Sequence, residues 1–189
     1  MRKIVLFMHT SLDGFVGGPN GEMNWIIPDP KMFEYASQQT DLADTALYGR
    51  VTYEMMNGYW PTAADQPNAS KHDIEHSKWY KGVTKVVLST TMKNSNLEKT
   101  KIISENISIE INKLKQESGR NILIFGSPRV AHSLMEENLI DEYWLFINPI
   151  LLGNGIPLFK NIKSMTKLKL MSTKAFDSGV VGSNYLVVK

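Results

Sequence analysis

The stretch TALYGRVTYE, residues 45–54, decides the fold. A short apolar run of Ala46, Leu47 and Tyr48 stops at Gly49, and Arg50 leads at once into Val51, Thr52, Tyr53 and Glu54. A buried strand that hands over directly to a helix is a building unit of α/β sheets. Two later stretches end in the same way. KVVLSTT, residues 85–91, closes an apolar run in three hydroxyl residues, and LIFGSPRV, residues 123–130, closes one in Gly-Ser-Pro before a helical pattern. Ligands of open α/β sheets bind beyond the carboxyl ends of the strands, and a helix N-terminus there attracts anions. Gly49 lets a ligand approach the backbone, Arg50 supplies a forked positive charge, and Thr52 caps or donates at the helix start. Several phosphates spread over neighbouring strand ends would mean a dinucleotide. Each end taken alone reads more simply as a turn. Neither GxGxxG nor GxxxxGK[ST] occurs, so the Rossmann and P-loop fingerprints do not apply.

Working outward, β-like runs fall at residues 4–9, 85–89, 100–104, 121–125 and 142–152, and the strand of the opening stretch covers 45–48. Helical patterns fall at 30–42, 51–56, 107–117 and 129–137. Residues 58–73, with a glycine and two prolines, read as a loop. Residues 10–24 form a longer one, with glycines at 14, 17, 18 and 21; long loops in compact domains are often functional. The tail, at 167–176 and 184–188, gives two more strands. The alternation predicts right-handed crossovers and a mixed, mainly parallel central sheet flanked by helices, with a C-terminal antiparallel hairpin. No repeat or linker divides the chain, so residues 1–189 are expected to form one domain.

Composition narrows the function. A net charge of +2 is too small to argue for nucleic acid or an anionic membrane as partner. The absence of cysteine removes disulfides, thiolate catalysis and Cys-type metal centres together, and a reducing cytoplasm is the expected location. The apolar run near the N-terminus is too short for a signal peptide, and no segment has the length of a membrane span. HDIEH, residues 72–76, formally matches the H-x-x-E-H zinc pattern with Glu75 as base. A third ligand and a cleft would still be needed, so exposed histidines and no metal are the expectation. Trp60, Trp79 and Trp144 are expected to be packing aromatics.

Taken together, YGRVTYE, VVLST and FGSPRV resemble the three cofactor segments of the dihydrofolate reductase superfamily. SLDGFVGGPNGEMNW, residues 11–25, is similar to that family's mobile loop and active-site tryptophan. SLDG itself and LIDEYWLFINPILLGNGIPLF, residues 139–159, resemble another branch, the reductase domain of the bifunctional riboflavin-biosynthesis deaminase–reductase. The resemblance runs from Ile4 to about Val188. It implies a dihydrofolate-reductase-like fold and an NADPH-dependent reduction of a small heterocyclic or carbonyl substrate. By position, Gly49, Arg50, Val51 and Thr52 would hold the diphosphate and the adenosine phosphate. Ser89 and Thr90 would flank the 2′-phosphate. Gly126, Ser127, Pro128, Arg129 and Val130 would carry the diphosphate. His9, Val16 and Gly17 would lie near the nicotinamide, and Trp25 and Phe33 would wall the substrate pocket. The riboflavin branch also implies a homodimer.

Two positions depart from the pattern. The pterin-binding acid of dihydrofolate reductases aligns with Pro30, and Asp29 lies one residue away, as either proton donor or helix N-cap. The glutamate that usually precedes the third segment in riboflavin reductases is Phe125 here. Asp13 is the other candidate acid, with a turn before Gly14 as its simpler reading. The activity implied first is 5-amino-6-(5-phosphoribosylamino)uracil reduction. Dihydrofolate reduction and a catalytically silent nucleotide-binding protein are the alternatives.

Overall fold

The structure is a computed structural model and describes residues 1–92 and 97–188. In chain order its elements are β1 (Ile4–Ser11), β2 (Phe15–Gly17), α1 (Pro30–Asp41), β3 (Ala43–Gly49), α2 (Arg50–Ala63), α3 (Lys71–Gly82), β4 (Thr84–Leu88) and β5 (Thr100–Ile103). They continue as α4 (Ile107–Gln116), β6 (Asn121–Phe125), α5 (Pro128–Glu136), β7 (Glu142–Asn148), β8 (Ile156–Pro157), β9 (Leu168–Ala175) and β10 (Val181–Val187). Eight strands form one sheet in the order β5-β4-β3-β6-β1-β7-β10-β9. The first six pair in parallel, β10 runs antiparallel to β7, and β9 runs antiparallel to β10. The mainly parallel sheet with a terminal hairpin is therefore present.

Helices cover both faces of the parallel part, so its strands are buried throughout and alternate between two cores. Ile4, Leu6, Leu47, Val86, Ile122 and Ile124 pack with Ile111 of α4 and Leu134 of α5. Val5, Phe7, Ala46, Tyr48, Val87 and Leu123 pack on the opposite side with Met32 of α1, Tyr53 of α2 and Tyr80 of α3. Each fully buried aliphatic side chain contributes about 1.5–3 kcal/mol.

Several elements differ from the sequence reading. The expected loop at 58–73 is largely helical: α2 runs on to Ala63 through Pro61, and α3 starts at Lys71. Pro61 lies in the last turn of α2, where it removes one backbone donor and ends the helix soon after. A Ser70–Asp73 capping box starts α3: Asp73 N–H donates to Ser70 Oγ at 3.2 Å, and Ser70 N–H to Asp73 Oδ2 at 2.9 Å. β7 stops at Asn148, because Pro149 cannot extend the ladder. β10 starts at Val181, three residues early. Its Gly182 carries no side chain because a Cβ there would lie 3.3–3.4 Å from the rings of Phe146, Phe176 and Tyr35. The long loop contains β2, which pairs with β8.

Candidate functional site

The three strand ends singled out above lie side by side. β4, β3 and β6 are neighbours, with Gly49 opposite Leu88 and Leu47 opposite Ile124. The helices that follow β3 and β6 start without a side-chain cap: Gly49 is the N-cap of α2 and Ser127 that of α5. Their first-turn N–H groups remain available to an anion, and the helix dipoles favour one there. By contrast, α1 and α3 are capped by Asp29 and Ser70.

The two uncapped turns interlock. Gly49 N–H donates to Ser127 Oγ at 3.1 Å, and that hydroxyl donates on to the Phe125 carbonyl at 3.3 Å. A Cβ on Gly49 would lie 3.2 Å from Val130, and one on Gly126 would lie 3.4 Å from Thr52. Gly126 and Ser127 both take a left-handed backbone, φ +55°. For a serine that conformation costs about 1–2 kcal/mol, and the two hydrogen bonds of its hydroxyl hold it. Thr52 is the third residue of α2 rather than its cap, so of its two expected roles only donation remains. Arg50 opens α2 at the surface and pairs with Glu54 at 3.0 Å. Pro128 and the exposed Arg129 open α5, and Val130 is buried beneath it. After β4, Ser89 Oγ accepts from Thr91 N–H at 3.2 Å and Met92 N–H at 3.0 Å, and Thr90 is exposed.

The loop segments SLDG and LLGNG are joined. The Asp13 carboxylate accepts from Ser11 Oγ at 2.6 Å, Gly153 N–H at 2.7 Å and Leu152 N–H at 3.1 Å. These bonds, the Ser11 hydroxyl foremost, hold its pKa below the ordinary carboxylate value. Asp13 is thus a latch between two loops. It fixes the strand pair in which Val16 and Gly17 sit, and Leu158 N–H donates to the Gly14 carbonyl at 2.8 Å nearby. Trp25 Nε1 donates to the Glu22 carbonyl at 2.9 Å and its ring is half-buried. Asp29 is the N-cap of α1, accepting from Lys31 N–H at 2.9 Å and Met32 N–H at 3.1 Å. The Ser178 hydroxyl beside it and these amides hold its carboxyl below the ordinary range.

The sequence reading missed a wall of rings on the α1–α3 side of the sheet. Phe33 stacks on His72 at 4.4 Å between centroids. His72 meets His76 at 5.4 Å, and His76 meets Phe125 at 5.5 Å. Phe125 meets Phe7 at 5.1 Å, Phe7 meets His9 at 6.2 Å, and His9 stacks on Phe146 at 5.2 Å. Trp60 packs 4.0 Å from His76 and Trp79 5.2 Å from it, while Trp144 is buried, so all three are packing aromatics. The histidines of HDIEH are therefore not exposed. Burial lowers the His76 pKa to about 3 and moves His72 in the same direction. No group of three metal-ligating side chains exists among the described residues. The i, i+4 spacing of His72 and His76 and the S-x-x-D box before them were the available signals.

Burial likewise lowers the His9 pKa to about 4, and its Nδ1 has no hydrogen-bond partner. An apolar hollow of about 310 Å³, lined among others by Tyr143, Phe159 and Leu168, lies at the far end of the sheet, away from these residues. No helix among the described residues is long and apolar enough to cross a membrane.

The chain is similar to known proteins. YyaP, an uncharacterized protein of Bacillus subtilis (strain 168), is 37% identical over 184 residues, covering 95% of this chain and 92% of its own. A protein assigned to riboflavin biosynthesis in Shewanella sp. PV-4 superposes with a TM-score of 0.77 at 22% identity, over 99% of both chains. Dihydrofolate reductase from Enterococcus faecalis, complexed with NADP(H), superposes with a TM-score of 0.67 at 14% identity, over 99% of this chain and 97% of that one. The two structural likenesses show a dihydrofolate-reductase-like fold. Residues 2–182, from the start of β1 into β10, match the RibD C-terminal domain, and the chain belongs to that family.

Proposed function

We propose that the chain is an NADPH-dependent reductase that delivers hydride to a C=N or C=O bond of a small heterocycle, in the manner of the pyrimidine reductases of riboflavin biosynthesis. The observation that carries this reading is the contiguity of the β4, β3 and β6 ends, with two uncapped, interlocked helix starts among them. A dinucleotide offers two linked phosphates, which suit two adjacent sets of free N–H groups. The glycines at 49 and 126 let the two helix starts pack against each other, since a Cβ on either would press on Val130 or Thr52. Arg50, Val51 and Thr52 would hold it from α2, and Ser127, Pro128, Arg129 and Val130 from α5. Ser89 and Thr90 would meet the 2′-phosphate. His9, Val16 and Gly17 would border the nicotinamide, and Trp25 and Phe33 the substrate.

When bound, the reduced nicotinamide supplies the hydride. The chain's own part is orientation: the Asp13 latch fixes the loop over the β1 end, and the ring wall excludes water. Asp29 and Asp13 are both committed to structural bonds, so water is the proton source in this reading. The same observation favours a second reading, a nucleotide-binding protein without turnover. A chain that works with NADPH and carries no cysteine belongs in the cytoplasm. A second copy of the chain is the proposed partner, seated on the exposed edge strand β9, whose Leu168, Leu170 and Met171 face solvent.

Fluorescence titration of the purified protein with NADPH, and with NADH alongside, tests the proposal. Binding that prefers NADPH, followed by its oxidation with a pterin or pyrimidine, is the expected result. Failure to bind either cofactor overturns the reductase and the silent-binder readings together. Binding without turnover on any such ring leaves the second reading.

A further inference from the structure

One histidine stands apart from the ring wall and joins two parts of the molecule. His132 lies on α5, a little over one turn beyond the left-handed Ser127. Its Nε2 is 3.0 Å from the Pro157 carbonyl oxygen and 3.0 Å from that of Leu158. A carbonyl only accepts, so Nε2 carries the hydrogen and donates to both. The two carbonyls belong to β8 and the residue after it. From its other side, β8 is held by the loop that follows β1. Phe15 pairs with Pro157 and Gly17 with Ile156, and Leu158 N–H donates to the Gly14 carbonyl at 2.8 Å. The approach is close: a Cβ on Gly155 would lie 2.2 Å from the Gly17 carbonyl oxygen. Leu158 is fully buried and shares a core cluster with Val16 of β2 and Val130 of α5. A strand of two residues makes too few ladder bonds to hold its own place. Side chains supply the anchors, Asp13 on Leu152 and Gly153 before it, and His132 on Pro157 and Leu158.

We propose that His132 is a positioning residue that ties the start of α5 to the β2–β8 pair and so sets the spacing between the two halves of the cofactor site. The inference rests on the proposed reductase reading and deepens it. In that reading the diphosphate sits at the α5 start, and Val16 and Gly17 border the nicotinamide. The ring of a bound dinucleotide is then aligned only if β2 stands at a fixed distance from α5. Such alignment depends on supporting hydrogen bonds outside the contact itself. The α5 start does not need His132, because the Ser127 hydroxyl holds it through Gly49 N–H at 3.1 Å and the Phe125 carbonyl at 3.3 Å. Loss of the tether should therefore fall on the nicotinamide half alone.

The test uses the full chain and two variants. His132→Phe keeps a ring on α5 and removes the donor. His132→Gln keeps an N–H near the place of Nε2. In the ligand-free protein, hydrogen exchange of the Leu158 and Gly153 amides should quicken about tenfold in His132→Phe, the effect of one lost hydrogen bond. Exchange of the Gly49 amide should not change, and His132→Gln should recover most of the protection. The ligand probes are NADPH and 2′-phospho-ADP-ribose, which lacks only the nicotinamide. His132→Phe should weaken NADPH by about tenfold and leave 2′-phospho-ADP-ribose unchanged. Unchanged exchange at Leu158 and Gly153 would overturn the proposal. Equal losses for the two ligands would do the same, by making His132 a support of the whole fold. A His132→Gln variant no better than His132→Phe would assign the effect to ring packing and overturn it too. Failure of the wild type to bind either ligand would strike the reductase reading instead, while exchange in the ligand-free protein decides the tether separately.

Discussion

The two ends of the sheet are built on opposite principles. At the end where β1, β3 and β6 begin, charged groups are buried and paired. Arg2, with its side chain 5% exposed, pairs with Asp44 and donates to Thr45 Oγ1 at 2.6 Å and to the Arg120 carbonyl at 2.7 Å. Lys115 of α4 donates to Asp141 at 2.6 Å and to the Leu139 carbonyl at 3.2 Å, and Asp141 also accepts from Ile4 N–H at 2.9 Å. At the other end, where these strands finish, helix starts are uncapped, Ser127 is held left-handed and His9 Nδ1 has no partner. Satisfied groups at one end give stability. In the proposed reading the unsatisfied groups at the other end meet a ligand, and a fold tolerates them because the first end is secure.

The largest effect should come from breaking the satisfied end. Lys115→Met removes one partner of a buried charge pair, a loss that costs about 3–5 kcal/mol. Urea unfolding should show that loss at pH 7. The cofactor affinity of the protein that remains folded should not change, because Lys115 touches nothing at the strand C-termini. A parallel loss of affinity would mean that the two ends are not separable.

A smaller effect should follow at the open end. Arg50 is solvent-exposed and, among the described residues, its only salt bridge is to Glu54 on its own helix, a pair that contributes about 0.3–0.5 kcal/mol. Arg50→Ala should therefore leave stability nearly untouched. It should weaken NADPH binding by about tenfold, the contribution of one charge-assisted contact to phosphate, and NADH binding much less. Equal losses for the two cofactors would detach Arg50 from the 2′-phosphate and sharpen the role of Ser89.

The difference between the ends also explains what could be read from the residues alone. The strand ends were legible because their signals are local: an apolar run, a glycine or hydroxyls, then a helical pattern. The parallel order follows from the alternation. Helix α3 was not legible, because its apolar residues do not face one simple core. It buries Ser77 and Tyr80 and turns His72 and His76 onto aromatic rings contributed by α1, α2 and β6. The β2–β8 pair and the Asp13 latch join residues some 140 apart in the chain, with Gly153 N–H to Asp13 separated by 140. No local pattern announces such a contact. The buried pair of Lys115 with Asp141 escapes a sequence reading for the same reason.

The smallest effect should come from Asp29, and it separates capping from catalysis. Asparagine caps a helix as well as aspartate does, so Asp29→Asn should leave the melting temperature at pH 7 little changed. A cap needs an acceptor oxygen, whereas a proton donor needs a carboxyl group. Turnover of a reducible ring should survive the substitution if Asp29 only caps, and should vanish if Asp29 donates. Stability against pH gives an independent reading. His9 and His76 have folded pKa values of about 4 and about 3, below the unfolded value near 6.5, so the unfolded chain takes up their protons first. Stability should begin to fall as pH drops below about 6.5, in the variant and the wild type alike. Asp29 has the opposite character: its folded pKa lies below the ordinary 3.8, so its contribution is present above that value and is lost as pH falls further. Asp29→Asn should therefore flatten only the part of the acid limb below about pH 4. A change in the limb between pH 6.5 and 4 would instead couple Asp29 to the histidine wall and move it from the helix cap into the candidate site.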